Sequence, residues 1–507
     1  MKIYLLLGLL FGAVSALSAA TDKVVCYFGS WSTYRTGNGK FEIENINPNL
    51  CTHIIYTFVG VDSSTNTVKI LDSWIDISLQ GYKRFISLKQ KNPNVKLLLA
   101  VGGWNEGSAT FSAMASSSVS RYGFIQSVVN LLKTYGFDGF DIDWEYPTLR
   151  GGSVDDRVNF ISLLSEMKAR FSSENLLLSI AVAATKDYHR SAYNVPEINK
   201  YVDFVNLMTY DMHAYWDAQT GHNSPLYAAT WETDSVTSMY NMAASVQGWL
   251  DDGLDASKLI VGIPVYGHTF TLASSANTGV GVRTTGPGTA GPYTLEAGTL
   301  SYLEVCEKLV GGGYTKSFDS VQQVPYAFSG NKWISYDDAS SVALKVSYAK
   351  KTNIGGVMLW SVESDDHQNI CGGGAYPIGT AIYQAVFGSS PTTTTTTTTA
   401  KTTAAPTTTT TTAKTTTTAK TTTTAKPTTT TKSPTTTTTA KTTTTTPSGG
   451  TLICPSTSYL RDPNDCSAFY PCSPGSPVNL NWRITCQAGL YFDTTTNTCN
   501  WANLVAC

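Results

Sequence analysis

The chain has 507 residues, enough for two or three domains and a large core. Its formal net charge is −2 and its pI is near 6.3, a balance that favours neither nucleic acid nor an anionic membrane surface. Beginning at the N-terminus, Met1 and Lys2 precede an apolar stretch from Ile3 to Leu17, then the small residues Ser18, Ala19 and Ala20. A positive start, an apolar run and a small-residue end predict a secretory signal peptide over residues 1–20, cleaved between Ala16 and Thr21. The run is short for a membrane span, and no later stretch is long and apolar enough for one. A secreted, extracellular protein is expected.

The module over residues 21–388 alternates apolar, strand-like runs with helical stretches, the pattern of βα units on a parallel sheet. Eight runs stand out: Val24–Gly29, His53–Val59, Lys96–Gly102, Gly139–Trp144, Leu176–Ala181, Phe204–Thr209, Leu259–Pro264 and Gly356–Trp360. Eight parallel strands predict an α/β chain with a (β/α)8 TIM barrel. The gap between the last two runs is too long for one helix, so residues of about 266–336 read as an inserted subdomain. Cys26, Cys51, Cys306 and Cys371 are scattered through this module. An even count in an exported chain points to disulfides without a free thiol.

The fourth run lies in FDGFDIDWEYP, Phe137 to Pro147, where Asp138, Asp141, Asp143 and Glu145 form a D-x-x-D-x-D-x-E series. Phe140, Ile142, Trp144 and Tyr146 make the segment far too apolar for a solvated loop. On a strand, Asp141, Asp143 and Glu145 share one face. Crowded like charges cannot all ionise, so at least one proton is held near neutrality. A general acid beside an electrostatic stabiliser needs that arrangement.

A barrel works at the C-terminal ends of its strands. Those ends carry Tyr27 and Trp31, Phe58, AVGGW (Ala100 to Trp104, with Gly102 and Gly103), Asp143 and Glu145, MTYDMH (Met208, Tyr210 and Asp211), Tyr266 and Trp360. Aromatic rings and a few acids at one mouth make a sugar-binding groove, the rings stacking on the apolar faces of pyranoses.

The acidic segment closely resembles the signature of family 18 glycoside hydrolases, the chitinases, and the resemblance extends over nearly all of residues 22–388. It implies a chitinase of the endo-acting kind that hydrolyses β-1,4 linkages between N-acetylglucosamine units. Glu145 would be the proton donor, and the substrate's own 2-acetamido carbonyl would replace an enzyme nucleophile, with net retention. Asp143 would orient the acetamido group, with Asp141 sharing a proton behind it. Tyr210 would hydrogen-bond the acetamido oxygen, and Trp360 would floor the distorted sugar. Tyr27, Trp31, Phe58, Gly102, Gly103, Trp104, Asp138, Tyr146, Met208, Asp211 and Tyr266 would be groove residues, and Trp216 a stacking platform on the leaving-group side. The family also implies an α+β insertion that deepens the groove, and the pairings Cys26–Cys51 and Cys306–Cys371. Chitin and N-acetylchitooligosaccharides are the expected partners of a monomer that needs no metal or cofactor.

Several positions depart from the family's commoner pattern. Ala100 sits where Ser often precedes the Gly pair, Ala214 and Tyr215 follow His213, and SVESDD after Trp360 has Glu363 where Asp is frequent. His268, in YGHTF, replaces a frequent Arg. That change is expected to weaken a contact with a substrate hydroxyl or the groove acids, and to make binding more pH-sensitive.

Residues 389–450 are nearly all Thr with Ala, Lys and Pro, including TTTTAK repeats. Such a tract has nothing to bury and reads as a disordered, O-glycosylated stalk between two modules. No usable N-x-S/T sequon occurs, so N-glycosylation is not expected.

Residues 451–507 are too few for a large core and hold Cys454, Cys466, Cys472, Cys486, Cys499 and Cys507, so disulfides must hold the fold. With no C-x-x-C pair and no histidine there, zinc is disfavoured. Fifteen pairings are open on sequence alone. CQAGLYFD and TCNW, with Tyr459, Phe469, Tyr470, Trp482 and Trp501, resemble the peritrophin-A-type chitin-binding domain. That family implies Cys454–Cys472, Cys466–Cys507 and Cys486–Cys499. The rival to an enzyme is an inactive chitin-binding lectin on the same barrel. Inactive members of the group typically replace the catalytic Glu, and Glu145 is present.

Overall fold

The computed structural model describes residues 21–391 and, near the C-terminus, residues 454, 459–471, 477–478, 484–486, 490–494, 498–501 and 505. The expected signal peptide and nearly all of the Thr-rich stretch lie outside the described residues. The chain divides into two compact units at residue 401.

The first unit is a closed barrel of eight parallel strands: β1 (Lys23–Gly29), β2 (His53–Val61), β3 (Lys96–Gly102), β4 (Gly139–Asp143), β5 (Leu177–Ala183), β6 (Phe204–Met208), β7 (Leu259–Pro264) and β8 (Gly356–Trp360). Each pairs with its sequence neighbour, and β1 closes the ring by pairing with both β8 and β2. Only Val68–Ile70 is antiparallel, folding back on the end of β2 as a hairpin. The strands read as continuous apolar runs because both faces are buried. In β1, Val24, Cys26 and Phe28 face the surrounding helices and join the outer core. Val25 and Tyr27 face the barrel interior with Ile55, Leu98, Ala100, Phe204, Ile260 and Met358.

The insertion begins one residue after β7. Its six-stranded antiparallel sheet is built from Tyr266–Leu272, Thr284–Pro287, Thr299–Ser301, Thr315–Asp319, Val324–Ser329 and Lys332–Ser335. One helix, Tyr302–Val310, packs on it. A capping box starts that helix: the Glu304 N–H donates to the Ser301 hydroxyl at 3.3 Å and the Ser301 N–H returns to the Glu304 carboxylate at 2.8 Å. The subdomain is therefore α+β and sits at the mouth end of β7 and β8.

Disulfides join Cys26 to Cys51 and Cys306 to Cys371, across 25 and 65 residues. In the chain-entropy model loops of these sizes contribute about 3 and 4 kcal/mol. The second bond ties the insertion helix to the segment after β8.

The second unit holds a three-stranded antiparallel sheet, Tyr459–Arg461, Ala468–Pro471 and Ile484–Thr485, and a hairpin of Leu490–Asp493 with Thr498–Trp501. Phe469 and Phe492 stack at 4.1 Å, and the Tyr470 hydroxyl donates to buried Asp462 at 3.0 Å. Cys454, Cys466 and Cys486 are disulfide-bonded. Each pairing expected for this unit includes Cys472, Cys507 or the Cys499 side chain, which lie outside the described residues. Among the described residues, no helix is long and apolar enough to cross a membrane.

Candidate active site

Strand period sorts the side chains of β4 into two sets. Phe140, Ile142 and Trp144 face the helices; the Trp144 ring stacks on Phe111 at 5.1 Å and its indole N–H donates to Ser108 at 3.0 Å. Asp141, Asp143 and Glu145 face inward and are 0%, 4% and 8% exposed. Asp138 does not join them, contrary to its expected groove role. It precedes β4 at the far end of the barrel, roughly 20 Å of strand from Glu145 at about 3.3 Å per residue. There it pairs with the Lys89 ammonium at 2.8 Å and accepts the Leu97 N–H at 2.7 Å.

Asp141 is satisfied by donors from three other strands. Tyr27 donates to its Oδ2 at 2.8 Å, and Ser179 and the Asn206 amide to its Oδ1 at 2.5 and 3.3 Å. Asn206 also donates to the Tyr27 oxygen at 2.9 Å. Burial nonetheless outweighs these bonds and pushes Asp141 up to about 6. Asp143, above it, is raised well beyond the usual carboxylate range by burial, then by the charges of Glu145 and Asp141. Among the described residues no donor reaches its buried Oδ1. Glu145 is pushed up to about 7, chiefly by burial, while hydrogen bonding from Tyr146 and the Arg150 charge pull it back. The crowded, buried stack of carboxyls therefore retains a proton near neutrality.

Around it the rings converge. Trp360 lies 5.3 Å from Tyr27 and 5.9 Å from Phe58, and Trp31 stacks on Phe58 at 6.1 Å, giving a continuous aromatic floor. Met208 is half-buried against the same interior cluster. Tyr146 packs on Tyr188 at 5.2 Å. Trp104 and Trp216 stand in solvent, 61% and 58% exposed. Gly102 and Gly103 act by having no side chain. Both have positive φ, 112° and 80°, and a Cβ on them would meet the Asp143 carbonyl at 2.0 Å and the Phe58 ring at 2.7 Å. The Gly103 N–H donates to that carbonyl at 2.9 Å, so β3 and β4 are locked where the acids begin.

On the other side of the mouth is the turn after β6. Tyr210 is buried, and among the described residues its hydroxyl reaches only the Met358 sulfur, at 3.9 Å. Asp211 accepts the Tyr266 hydroxyl at 2.6 Å and lies 2.7 Å from His268 Nε2. His268 Nδ1 faces the Gly298 carbonyl at 3.3 Å. The imidazole thus contacts a groove acid. It also meets the Trp216 ring edge at 5.5 Å. Glu363, buried at the end of β8, accepts the Gly29 N–H at 3.1 Å and bonds Ser361, fastening β8 to β1 beneath Trp31.

Sequence reasoning missed Ser179, Asn206 and Arg150. Ser179 in LLSIAVA and Asn206 in FVNLM are lone polar residues on inward positions of apolar strands, which is a readable signal. Arg150 carried none. Its guanidinium donates to the Glu145 carbonyl at 2.9 Å and lies 3.5 Å over the Trp104 ring, linking an exposed platform to the protonated acid.

Residues 23–365 match the model of the family described as Glycosyl hydrolases family 18, and residues 454–507 match Chitin binding Peritrophin-A domain. The chain is 41% identical to Chitotriosidase-1 of Mus musculus over 365 residues, 70% of this chain and 76% of that protein. A solved structure of Ostrinia furnacalis Group IV chitinase in complex with allosamidin is 43% identical, with TM-score 0.71, over 72% of this chain and 98% of that one. Human YKL-39, described as a pseudo-chitinase with retained chitooligosaccharide binding properties, is 39% identical with TM-score 0.68, over 73% of this chain and all of that one (100%).

Proposed function

The chain belongs to glycosyl hydrolases family 18 and carries a chitin-binding domain, and from that premise we propose that it is a secreted, active chitinase that retains anomeric configuration. The observation that carries the reading is the buried inward stack of Asp141, Asp143 and Glu145, whose carboxyls are all raised so that a proton stays on the stack near pH 7. Glu145 gives that proton to the glycosidic oxygen as the C1–O bond breaks. The substrate's acetamido oxygen bonds C1, forming an oxazolinium ion. Asp143, ionised once the acetamido group faces it, accepts the acetamido N–H through Oδ1, which is free of any partner among the described residues, and balances its growing positive charge. Tyr210, with no strong partner for its hydroxyl, donates to the acetamido oxygen. Water then attacks C1 as Glu145 takes its proton back, and the ring opens to a β-hemiacetal. Only a sugar bearing a 2-acetamido group fits this scheme.

Export is supported by the signal-like start and by two disulfides, which persist in oxidising compartments. The C-terminal unit holds the enzyme on insoluble chitin and raises its local concentration there.

The test is to incubate the purified protein and its Glu145→Gln variant with N-acetylchitooligosaccharides and to follow the products and their first anomeric form. Cleavage with initial β-anomer that disappears in the variant supports the proposal. Binding without cleavage by the wild type overturns it and leaves a lectin, the behaviour described for human YKL-39.

A further inference from the structure

The turn that carries Tyr210 and Asp211 has a brace behind it that the chemistry above does not use. Asp211 has φ 58°, a left-handed conformation that a non-glycine residue keeps only when its surroundings impose it. Among the described residues the Tyr210 hydroxyl meets only the Met358 sulfur, at 3.9 Å, so its aim depends on this backbone.

Asn223 and Ser224, 1% and 2% exposed, hold the turn from below. The Ser224 hydroxyl donates to the Thr209 carbonyl at 2.6 Å. The Asp211 N–H donates to Asn223 Oδ1 at 2.8 Å, and the Met212 N–H to the Asn223 carbonyl at 3.0 Å. Three successive points of the turn's backbone are thereby fixed on both sides of Tyr210. The brace is itself anchored. Asn223 donates through its side chain to the Tyr266 carbonyl at 3.2 Å and through its N–H to Ser335 Oγ at 2.8 Å. These are residues of the first and last strands of the insertion. Ser224 Oγ accepts from the fully buried Lys345 ammonium at 2.9 Å, and Lys345 pairs with Asp337 at 2.7 Å. Ser341 donates to the same carboxylate at 2.7 Å. A buried ion pair earns little stability on average, but fixes geometry where its hydrogen bonds are complete.

We infer that Asn223 and Ser224, anchored by Lys345 and Asp337, are positioning residues that set the aim of Tyr210 and the placement of Asp211. Through them the insertion does more than wall the groove: its closing strand holds the reacting side of the site. The inference rests on the reading of Tyr210 given above.

The experiment takes the full chain and its Asn223→Ala variant. On N-acetylchitooligosaccharides kcat falls about 100-fold while KM changes much less, because the aim of Tyr210 is lost while most of the groove stays in place. A double variant with Tyr210→Phe is then scarcely slower than Tyr210→Phe alone, since both changes remove the same interaction. Ser224→Ala, which deletes one bond of the three, gives a smaller kcat loss with the same non-additivity and serves if Asn223→Ala fails to fold. Amide exchange gives a readout independent of activity: the Asp211 N–H loses its protection in Asn223→Ala while β6 stays protected. Multiplicative kinetic losses, or a protected Asp211 amide in Asn223→Ala, overturn the inference. If the wild type cleaves nothing, the proposed function fails, and the exchange result still decides the brace.

Discussion

Glu145 is a carboxyl whose folded pKa, about 7, lies well above its value near 4.3 in an unfolded chain. Two consequences follow for this residue. As the proposed proton donor it would work only while protonated, so kcat/KM on soluble oligosaccharides should decline as pH rises through about 7; an alkaline limb at or beyond pH 9 would contradict that. For stability the sign is the reverse of the usual carboxylate. The folded state binds the extra proton, so the penalty is absent below the unfolded pKa, grows with pH, and is complete above the folded one. Glu145→Gln removes a penalty of up to about 3 kcal/mol at pH 8 and almost none at pH 4. Melting curves at the two pH values should show the variant gaining a few degrees only at the higher one. The acids themselves were legible because period two on an apolar strand leaves no solvated face for them. Asp138 was misplaced for a reason of scale: the four-acid pattern is contiguous in sequence, but an extended strand carries its first member to the opposite end of the barrel, beside Lys89.

Among the elements, all eight barrel strands could be read from their apolar runs to within two residues at either end, since a strand buried on both faces has no competing pattern. The insertion could be placed from the length of its gap alone. The Val68–Ile70 hairpin was not seen: it is three residues long and only partly buried, below what alternation can signal. Nor could the brace of Asn223 and Ser224 be seen, because its partners lie 11 to 121 residues away. The junction of β3 and β4 offers a direct test. Gly102→Ala forces a side chain into a left-handed position and against the Asp143 carbonyl, and should cost about 3 kcal/mol or more in denaturant unfolding. Gly123, within the helix Ser118–Tyr135, has nothing within 4 Å of its absent Cβ. Gly123→Ala should instead gain up to about 1 kcal/mol. Equal effects at the two glycines would show that close packing of β3 on β4 is not what the first requires.

Across the whole molecule, two units have separate cores, and the proposed function assigns chemistry to the first and attachment to the second. A chain ended at residue 391 should hydrolyse soluble oligosaccharides at an unchanged rate, yet lose on the order of tenfold or more on insoluble chitin, where tethering supplies effective concentration. Equal losses on both substrates would mean that the second unit assists catalysis itself. The cysteine count marked that unit as disulfide-held, but fifteen possible pairings exceed what spacing can resolve. The insertion, by contrast, is fastened at several points: by Cys306–Cys371, by the Tyr302 N–H to the Val265 carbonyl at 3.0 Å, and by Asn38 to Glu307 at 2.8 Å. A wall fastened in this way is expected to resist swinging open as a unit. Acting as proposed, the groove would then meet a packed solid as a rigid mould, and the work of peeling one strand free would fall on the solid. Milling or swelling the polymer should speed its breakdown more than any loosening of the protein.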